Sequence, residues 1–194
     1  RGLGDVYKRL MKESVCFVAK ERKRWLRLAR ETTACAESYE LPDGRRIKVE
    51  SERFMAPEIM FEPSLVGVES VGVSELVFEC VQECDMDSRM TMYENIVLSG
   101  GSTTFPGFGE RLKKDLIDLY KERILKSDPN ANVEKFVNRV NVETPADRKY
   151  SVFVGGSVLA NIMKDNDKFW VTRQEYEKLG ITKALRKCEG TFHE

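Results

Sequence analysis

Asn95 to Phe108 reads N-I-V-L-S-G-G-S-T-T-F-P-G-F, and the rest of the chain is organised around it. The apolar run Ile96-Val97-Leu98 stops at Gly100-Gly101, small hydroxylated residues follow (Ser102, Thr103, Thr104), and Pro106-Gly107 leads into a long amphipathic segment. This pattern predicts a buried strand, a tight glycine turn and a helix. Gly carries no Cβ, so a ligand can approach bare backbone at such a turn. A strand-to-helix turn also presents free backbone N–H groups to an anion, or a flat surface to a base.

Downstream, Gly109–Lys126 is predicted as a helix with Leu112, Leu116, Leu119, Tyr120 and Ile124 inward, ended by Ser127-Asp128-Pro129-Asn130. Ala131–Phe136 reads as a short helical turn and Arg139–Val142 as a strand. The opening pattern then recurs: Ser151–Val154 as a strand, Gly155-Gly156, and Ser157–Met163 as a helix. Two strand–Gly-Gly–helix units imply an α/β layer with its turns at one sheet edge, where ligands of such folds tend to bind.

Upstream, Val6–Ala19 predicts a helix that turns extended near Val15, with Arg9, Lys12 and Glu13 on one face at i, i+3 and i+4. From periodicity alone that face is a solvated ion-pair surface. Lys20–Arg30 is strongly basic with Trp25, Leu26 and Leu28 interleaved; such a cluster can touch nucleic acid or anionic lipid, but with acidic Glu31 and Glu37 nearby it reads as plain exposed surface. Residues 39–49 form a hairpin around Pro42-Asp43-Gly44. Ser74–Cys84 is a helix capped by Ser74, with Leu76, Val77, Cys80, Val81 and Cys84 as its apolar stripe. Asp85–Tyr93 is a polar connection with a short helix.

Composition narrows the function classes. Lys+Arg 32 against Asp+Glu 32 leaves no net charge, which disfavours nucleic-acid binding. No apolar run approaches the ~18 residues of a membrane span, and no signal-peptide pattern is visible. The chain starts at Arg1 rather than Met, so a piece of a longer protein is expected. The five cysteines are scattered; Cys80 and Cys84, at i and i+4, offer at most half a zinc site, since the only histidine is His193. They read as small buried hydrophobes, and reduced thiols suit the cytosol. No metal site is expected in this chain. Nor is a catalytic set visible: there is no usable Cys–His or Ser–His pairing and no poised general base. The glycine turns match neither G-x-x-x-x-G-K-[ST] nor a full G-x-G-x-x-G, and tight turns without a ligand fit them equally well.

Leu98-Ser99-Gly100-Gly101-Ser102-Thr103, Arg148-Lys149-Tyr150-Ser151-Val152 and Gly155-Gly156-Ser157-Val158-Leu159-Ala160 resemble the C-terminal half of the actin superfamily. Tyr39-Glu40-Leu41-Pro42-Asp43-Gly44, Glu52-Arg53-Phe54 and Lys187-Cys188 agree, in order. Leu119–Lys126 and Ala131–Phe136 look like insertions that conventional actin lacks. With Ile162–Asp165 and Phe169–Tyr176 they resemble an actin-like subunit of the complex that nucleates branched actin filaments.

The resemblance implies an α/β, actin-like (ribonuclease H-like/ATPase) fold, C-terminal half, with a second, smaller lobe inserted. The smaller lobe and connecting helices would span residues 1–91, including a nucleotide-facing helix at 5–14, and the α/β lobe residues 92–194. It implies ATP or ADP in a cleft, with Mg2+ held mainly by a preceding half expected to be missing here. By position, Arg9, Lys12 and Glu13 match residues around ribose and adenine. Gly100, Gly101, Ser102, Thr104 and Phe105 match the turn under the nucleotide, and Lys149 the lysine beside the base. Thr104-Phe105 departs from the Met-Tyr more usual there, and basic Lys20–Arg30 from a more acidic pattern. Val154, Val158, Leu159, Ile162 and Phe169 match a partner groove at the barbed end, although a core helix shows the same stripe.

Implied partners are a second actin-related subunit, scaffold subunits of the nucleating complex, actin and nucleation-promoting factors, without nucleic acid or membrane insertion. The implied place is the cytoplasm and its cortical actin cytoskeleton. The implied role is a nucleotide-binding structural subunit rather than an enzyme, because phosphate- and water-positioning residues belong to the preceding half; slow ATP hydrolysis is open to the full-length chain. The alternatives are a polymerising actin or another actin-related protein of a dynein-activating or chromatin-remodelling assembly, against which the insertions argue. A small-molecule kinase of the same broad fold would need a phosphoacceptor site and catalytic carboxylate, neither of which is visible.

Overall fold

A computed structural model describes residues 3–126, 133–166, 169–178 and 180–181. The chain divides into two units, Arg1–Lys149 and Tyr150–Glu194, rather than at the expected 91/92 boundary. The reason is a shared core. Val18, Phe78, Val81 and Tyr93 bury their side chains with Leu98, Phe108, Leu112, Leu116, Phe136 and Val140 in one cluster, so residues on both sides of position 91 exclude water together.

Helix α1 (Leu3–Val15) runs as expected and gives way to extended backbone at 16–19. Val6 and Leu10 are exposed, whereas Val15 and Val18 are buried. The extended link is a seam. Alternation of side chains along it sends Val18 into the main cluster and Ala19 into a second one with Cys35 and Phe54. Val18 N–H donates to the Pro106 carbonyl at 2.8 Å, and Phe17 N–H to the Arg53 carbonyl at 3.1 Å. Arg53 returns two bonds, to the carbonyls of Val15 (2.8 Å) and Cys35 (3.0 Å).

The basic segment folds as α2 (Arg22–Glu31), with Trp25, Leu26, Leu28 and Ala29 packed on the second cluster. The hairpin is β1 (Glu37–Glu40) paired antiparallel with β2 (Arg46–Val49). Gly44, at φ +80°, takes the left-handed turn position that the Asp-Gly pair prepares. α3 (Glu52–Glu58) and α4 (Val73–Glu83) follow. Ser74 does not cap α4: it lies inside the helix, buried, and its hydroxyl donates to Asp115 at 3.1 Å. The buried face of α4 is therefore Ser74, Phe78 and Val81. Leu76 and Cys80 point outward and Cys84 is half-buried, so among the described cysteines only Cys16 and Cys35 behave as buried small hydrophobes.

α5 (Met86–Glu94) leads into β3 (Ile96–Val97). A short 3-10 turn, Gly101–Thr104, then opens α6 (Phe108–Tyr120). Gly107 caps α6 at φ +83°, and a Cβ there would lie 2.5 Å from the Val18 carbonyl oxygen. Lys121–Leu125 continue α6 as a π turn within the stretch marked above as an insertion; the wider turn takes up extra residues without ending the helix. α7 (Val133–Arg139) is helical where a strand had been expected to begin at Arg139, and β4 (Val142–Glu143) pairs parallel with β3. Tyr120 stacks on Phe136 at 3.7 Å and Tyr93 meets Phe136 edge-on at 5.0 Å, tying the π segment and α7 to the core. The β3 run is only partly the buried strand expected: Leu98 is buried but Val97 is exposed. Residues 127–132, and with them the predicted helix stop and part of the second insertion, lie outside the described residues.

In the second unit, α8 (Ser151–Ile162) runs unbroken through Gly155-Gly156. The expected strand Ser151–Val154 and the second glycine turn are therefore corrected to a single helix. An apolar V-F-V run satisfies its backbone as a strand only beside another strand. Here the bonds are local: Val154 N–H donates to the Tyr150 carbonyl and Met163 N–H to the Leu159 carbonyl. Helix-interior glycines carry a penalty of about 1 kcal/mol each, yet the helix runs through both. Lys187-Cys188 and the tail lie outside the described residues.

Candidate functional site: the first glycine turn and helix α1

Gly100 holds φ +93°, and neither it nor Gly101 has a close neighbour on its Cβ side except the Lys149 side chain, 3.9 Å from where a Gly101 Cβ would be. The turn is hydrogen-bonded on several sides despite its glycines. Gly100 N–H donates to the Arg148 carbonyl at 2.8 Å. Thr103 Oγ1 donates to the Gly100 carbonyl at 2.8 Å and Thr104 Oγ1 to the Gly101 carbonyl at 2.6 Å. Arg148 Nε donates to the Thr103 carbonyl at 3.2 Å, and its Nη1 to the Pro145 carbonyl at 3.0 Å. Arg148, quoted above only as part of a motif, thus pins the glycine turn to the 145–149 loop. Its position beside Lys149 is the one signal that marked it.

That loop delivers Lys149 to α1. Lys149 Nζ lies 3.4 Å from Glu13 Oε1, across 136 residues of sequence. Arg9 Nε donates to the same oxygen at 2.9 Å from one helical turn away. Glu13 consequently has a pKa below its ordinary value: the Arg9 hydrogen bond lowers it most, burial opposes, and the charge and hydrogen bond of Lys149 add to the lowering. Both cations engage Oε1, and no bond to Oε2 is formed among the described residues. An ionised carboxylate with one oxygen open, beside two uncovered glycines, suits a diol and a flat ring.

Of the predicted site residues, the fold gathers Arg9, Glu13, Gly100, Gly101 and Lys149. Lys12 is exposed on α1, and its charge bears on Cys16, whose thiol is pushed up by burial and eased back by Lys12 and Arg53. Ser102 is exposed on the turn. Thr104 spends its hydroxyl proton on Gly101, and Phe105 is half-buried against the main core. Those two side chains help hold the turn in shape. Among the described residues no group of three or more His, Cys, Asp or Glu could hold a metal ion.

The sequence profile of the family described as Actin matches residues 6–189. The chain belongs to the actin family. It is 48% identical over 180 residues to Actin-related protein 2 of Oryza sativa subsp. japonica, which covers 93% of this chain and 45% of that protein. Actin-related protein 2 of Oryza sativa subsp. indica gives the same identity and coverage. Actin-related protein 2 of Caenorhabditis briggsae is 48% identical over 180 residues, 92% of this chain and 45% of the relative. The chain thus spans a little under half the length of these relatives.

On α8 the positions named for a partner groove fall on one side. Val154, Val158 and Ile162 recur at i, i+4 and i+8 and are all more than half-open or close to it, with Leu159 beside them. Phe169 is half-buried and meets Trp170 edge-on at 6.0 Å, while Trp170 Nε1 donates to the Met163 carbonyl at 2.8 Å. No residue of α8 is buried, and this apolar row is open.

Proposed function

We propose that this chain is the C-terminal part of an ATP-binding actin-like subunit of the assembly that nucleates branched actin filaments. With a second actin-like subunit it serves as template for a daughter filament. The observation that carries the nucleotide reading is the convergence of Glu13 and Lys149 beside Gly100-Gly101. The likeness to proteins named Actin-related protein 2 supports the assembly.

The residues present fit an adenosine. Glu13 would accept from ribose hydroxyls through its open oxygen, with Arg9 and Lys149 holding the carboxylate ionised and aimed. The bare backbone of Gly100-Gly101 would lie under the nucleotide, and the stem of Lys149 beside the base. When bound, ATP with Mg2+ supplies the interactions that tighten the cleft of the whole protein, its phosphates and metal held mainly outside this chain. In this role the protein is a structural subunit rather than an enzyme. Its partners are the second actin-related subunit, scaffold subunits, actin and nucleation-promoting factors, in the cortical cytoskeleton of the cytoplasm. The apolar row on α8 is the surface offered to actin or an activator.

In the full-length protein, Glu13→Ala together with Lys149→Ala should weaken ATP binding at least tenfold, a loss of about 1.4 kcal/mol or more, read by displacement of a fluorescent ATP analogue. Unchanged affinity would overturn the cleft assignment. The full-length protein should also co-purify with a multi-subunit assembly and stay soluble on ultracentrifugation by itself. Filaments formed by the purified chain would instead favour a polymerising actin.

A further inference from the structure

Helix α2 carries a charge pattern that the nucleotide site does not use. Between Lys20 and Arg30 there are six basic residues and one acid, in a chain whose charges balance overall, so the remainder carries a net acidic excess. Lys23, Arg27 and Arg30 stand at i, i+4 and i+7, one exposed row about 10 Å long, flanked by exposed Lys20 and Arg24. None of these five side chains forms an ion pair among the described residues; Arg22 alone is paired, with Glu62. The first turn of α2 has no acidic residue, so Arg22, Lys23 and Arg24 lie at the end of the helix where the peptide dipoles disfavour cations, whereas Arg30 lies in the last turn, where they favour one. A row without internal partners, one end of it set against its own helix, is a local conflict of the kind that marks a binding surface.

We propose that α2 docks an acidic segment of a partner protein, with carboxylates spaced to meet Lys23, Arg27 and Arg30. Three observations select this occupant. The apolar side of α2, Trp25, Leu26, Leu28 and Ala29, is already spent on the second core cluster, so the helix has no face left to sink into a lipid surface. Its single aromatic ring, Trp25, is engaged edge-on by Phe17 at 4.8 Å and offers no platform for stacked bases. Glu21 and Glu31 bracket the row, which limits it to a short segment instead of a continuing phosphate backbone. Beside the row lies a concavity of about 280 Å³ lined by Lys20, Glu21, Arg24, Trp25 and Leu28. It gives a partner one seat for an apolar side chain among its carboxylates.

The test uses the full-length protein and a fluorescein-labelled helical peptide with Glu at i, i+4 and i+7 and one Leu, read by anisotropy. The Glu peptide should bind at least tenfold more tightly than the same peptide with Gln, and more weakly as salt rises. Lys23→Gln/Arg27→Gln/Arg30→Gln should abolish that preference while leaving ATP affinity unchanged, which separates loss of the surface from loss of the fold or of the nucleotide site. Equal binding of the Glu and Gln peptides would overturn the proposal, as would retained binding by the triple variant. Tighter binding of a random-sequence DNA duplex, or of phosphatidylcholine–phosphatidylserine vesicles, through the same three residues would overturn it in favour of nucleic acid or membrane.

Discussion

Replacing Arg111 with Met removes the clasp that joins three parts of the larger unit. Glu58 is 1% exposed and accepts two parallel bonds from Arg111, at 3.0 and 2.9 Å. The same guanidinium donates to the Ala19 carbonyl at 2.8 Å and to Asp115 at 2.8 and 2.9 Å, with its plane 4.9 Å over Phe61. Burial works against the charge of Arg111, yet the bonds and charges of Glu58 and Asp115 outweigh it and raise its pKa. Met keeps the apolar stem but leaves the Glu58 carboxylate buried and alone. Breaking one side of a buried pair costs about 3–5 kcal/mol, and the Ala19 carbonyl loses a donor worth about 1 kcal/mol. The two losses share one side chain and do not simply add, so a cost near 4 kcal/mol is expected, a large part of an ordinary folding free energy.

Urea unfolding of the full-length protein, followed by tryptophan fluorescence, measures it, since Trp25 lies in the cluster next to Ala19. The double variant Glu58→Met/Arg111→Met removes both charges and should recover most of the loss, because apolar replacement of a whole buried pair is close to neutral. A cost below about 1 kcal/mol for the single variant, or a double variant worse than the single, would refute the role given to this pair.

The glycines of the opening stretch should separate by position. Gly107→Ala meets the Val18 carbonyl at 2.5 Å in a left-handed conformation and should cost more than about 2 kcal/mol of stability. Gly101→Ala touches only Lys149 at 3.9 Å and should leave the thermal midpoint nearly unchanged while weakening ATP binding. The contribution of Glu13 to ATP affinity should be flat through neutral and mildly acidic pH and disappear only as pH falls through its lowered folded-state pKa. The comparison is wild type against Glu13→Gln across pH, and a break near neutrality would contradict it.

Local chemistry made much of this chain legible from its residues. The 3.6-residue period of Leu112, Leu116, Leu119 and Ile124 specifies α6 and its inward face. Asp43-Gly44 specifies the hairpin, and Gly100-Gly101 the turn, because such signals act between near neighbours and need no distant partner. Where a segment's neighbour decides, the residues alone do not. Ser151–Val154 suits a strand or a helix equally, and becomes helix because its backbone bonds close locally. Ser74 suits a cap, yet lies buried against Asp115 of another helix. The site divides the same way. Arg9 and Glu13 meet by helical spacing, but Lys149 reaches Glu13 across 136 residues only because Arg148 anchors its loop to the glycine turn. So too Arg111 finds Glu58 across 53 residues and Ala19 across 92. The sequence by itself determined the turn, its bare backbone and the charged face of α1. Tertiary structure alone decided that they form one wall, since burial and pairing between remote segments depend on the summed packing of the core and not on any local pattern.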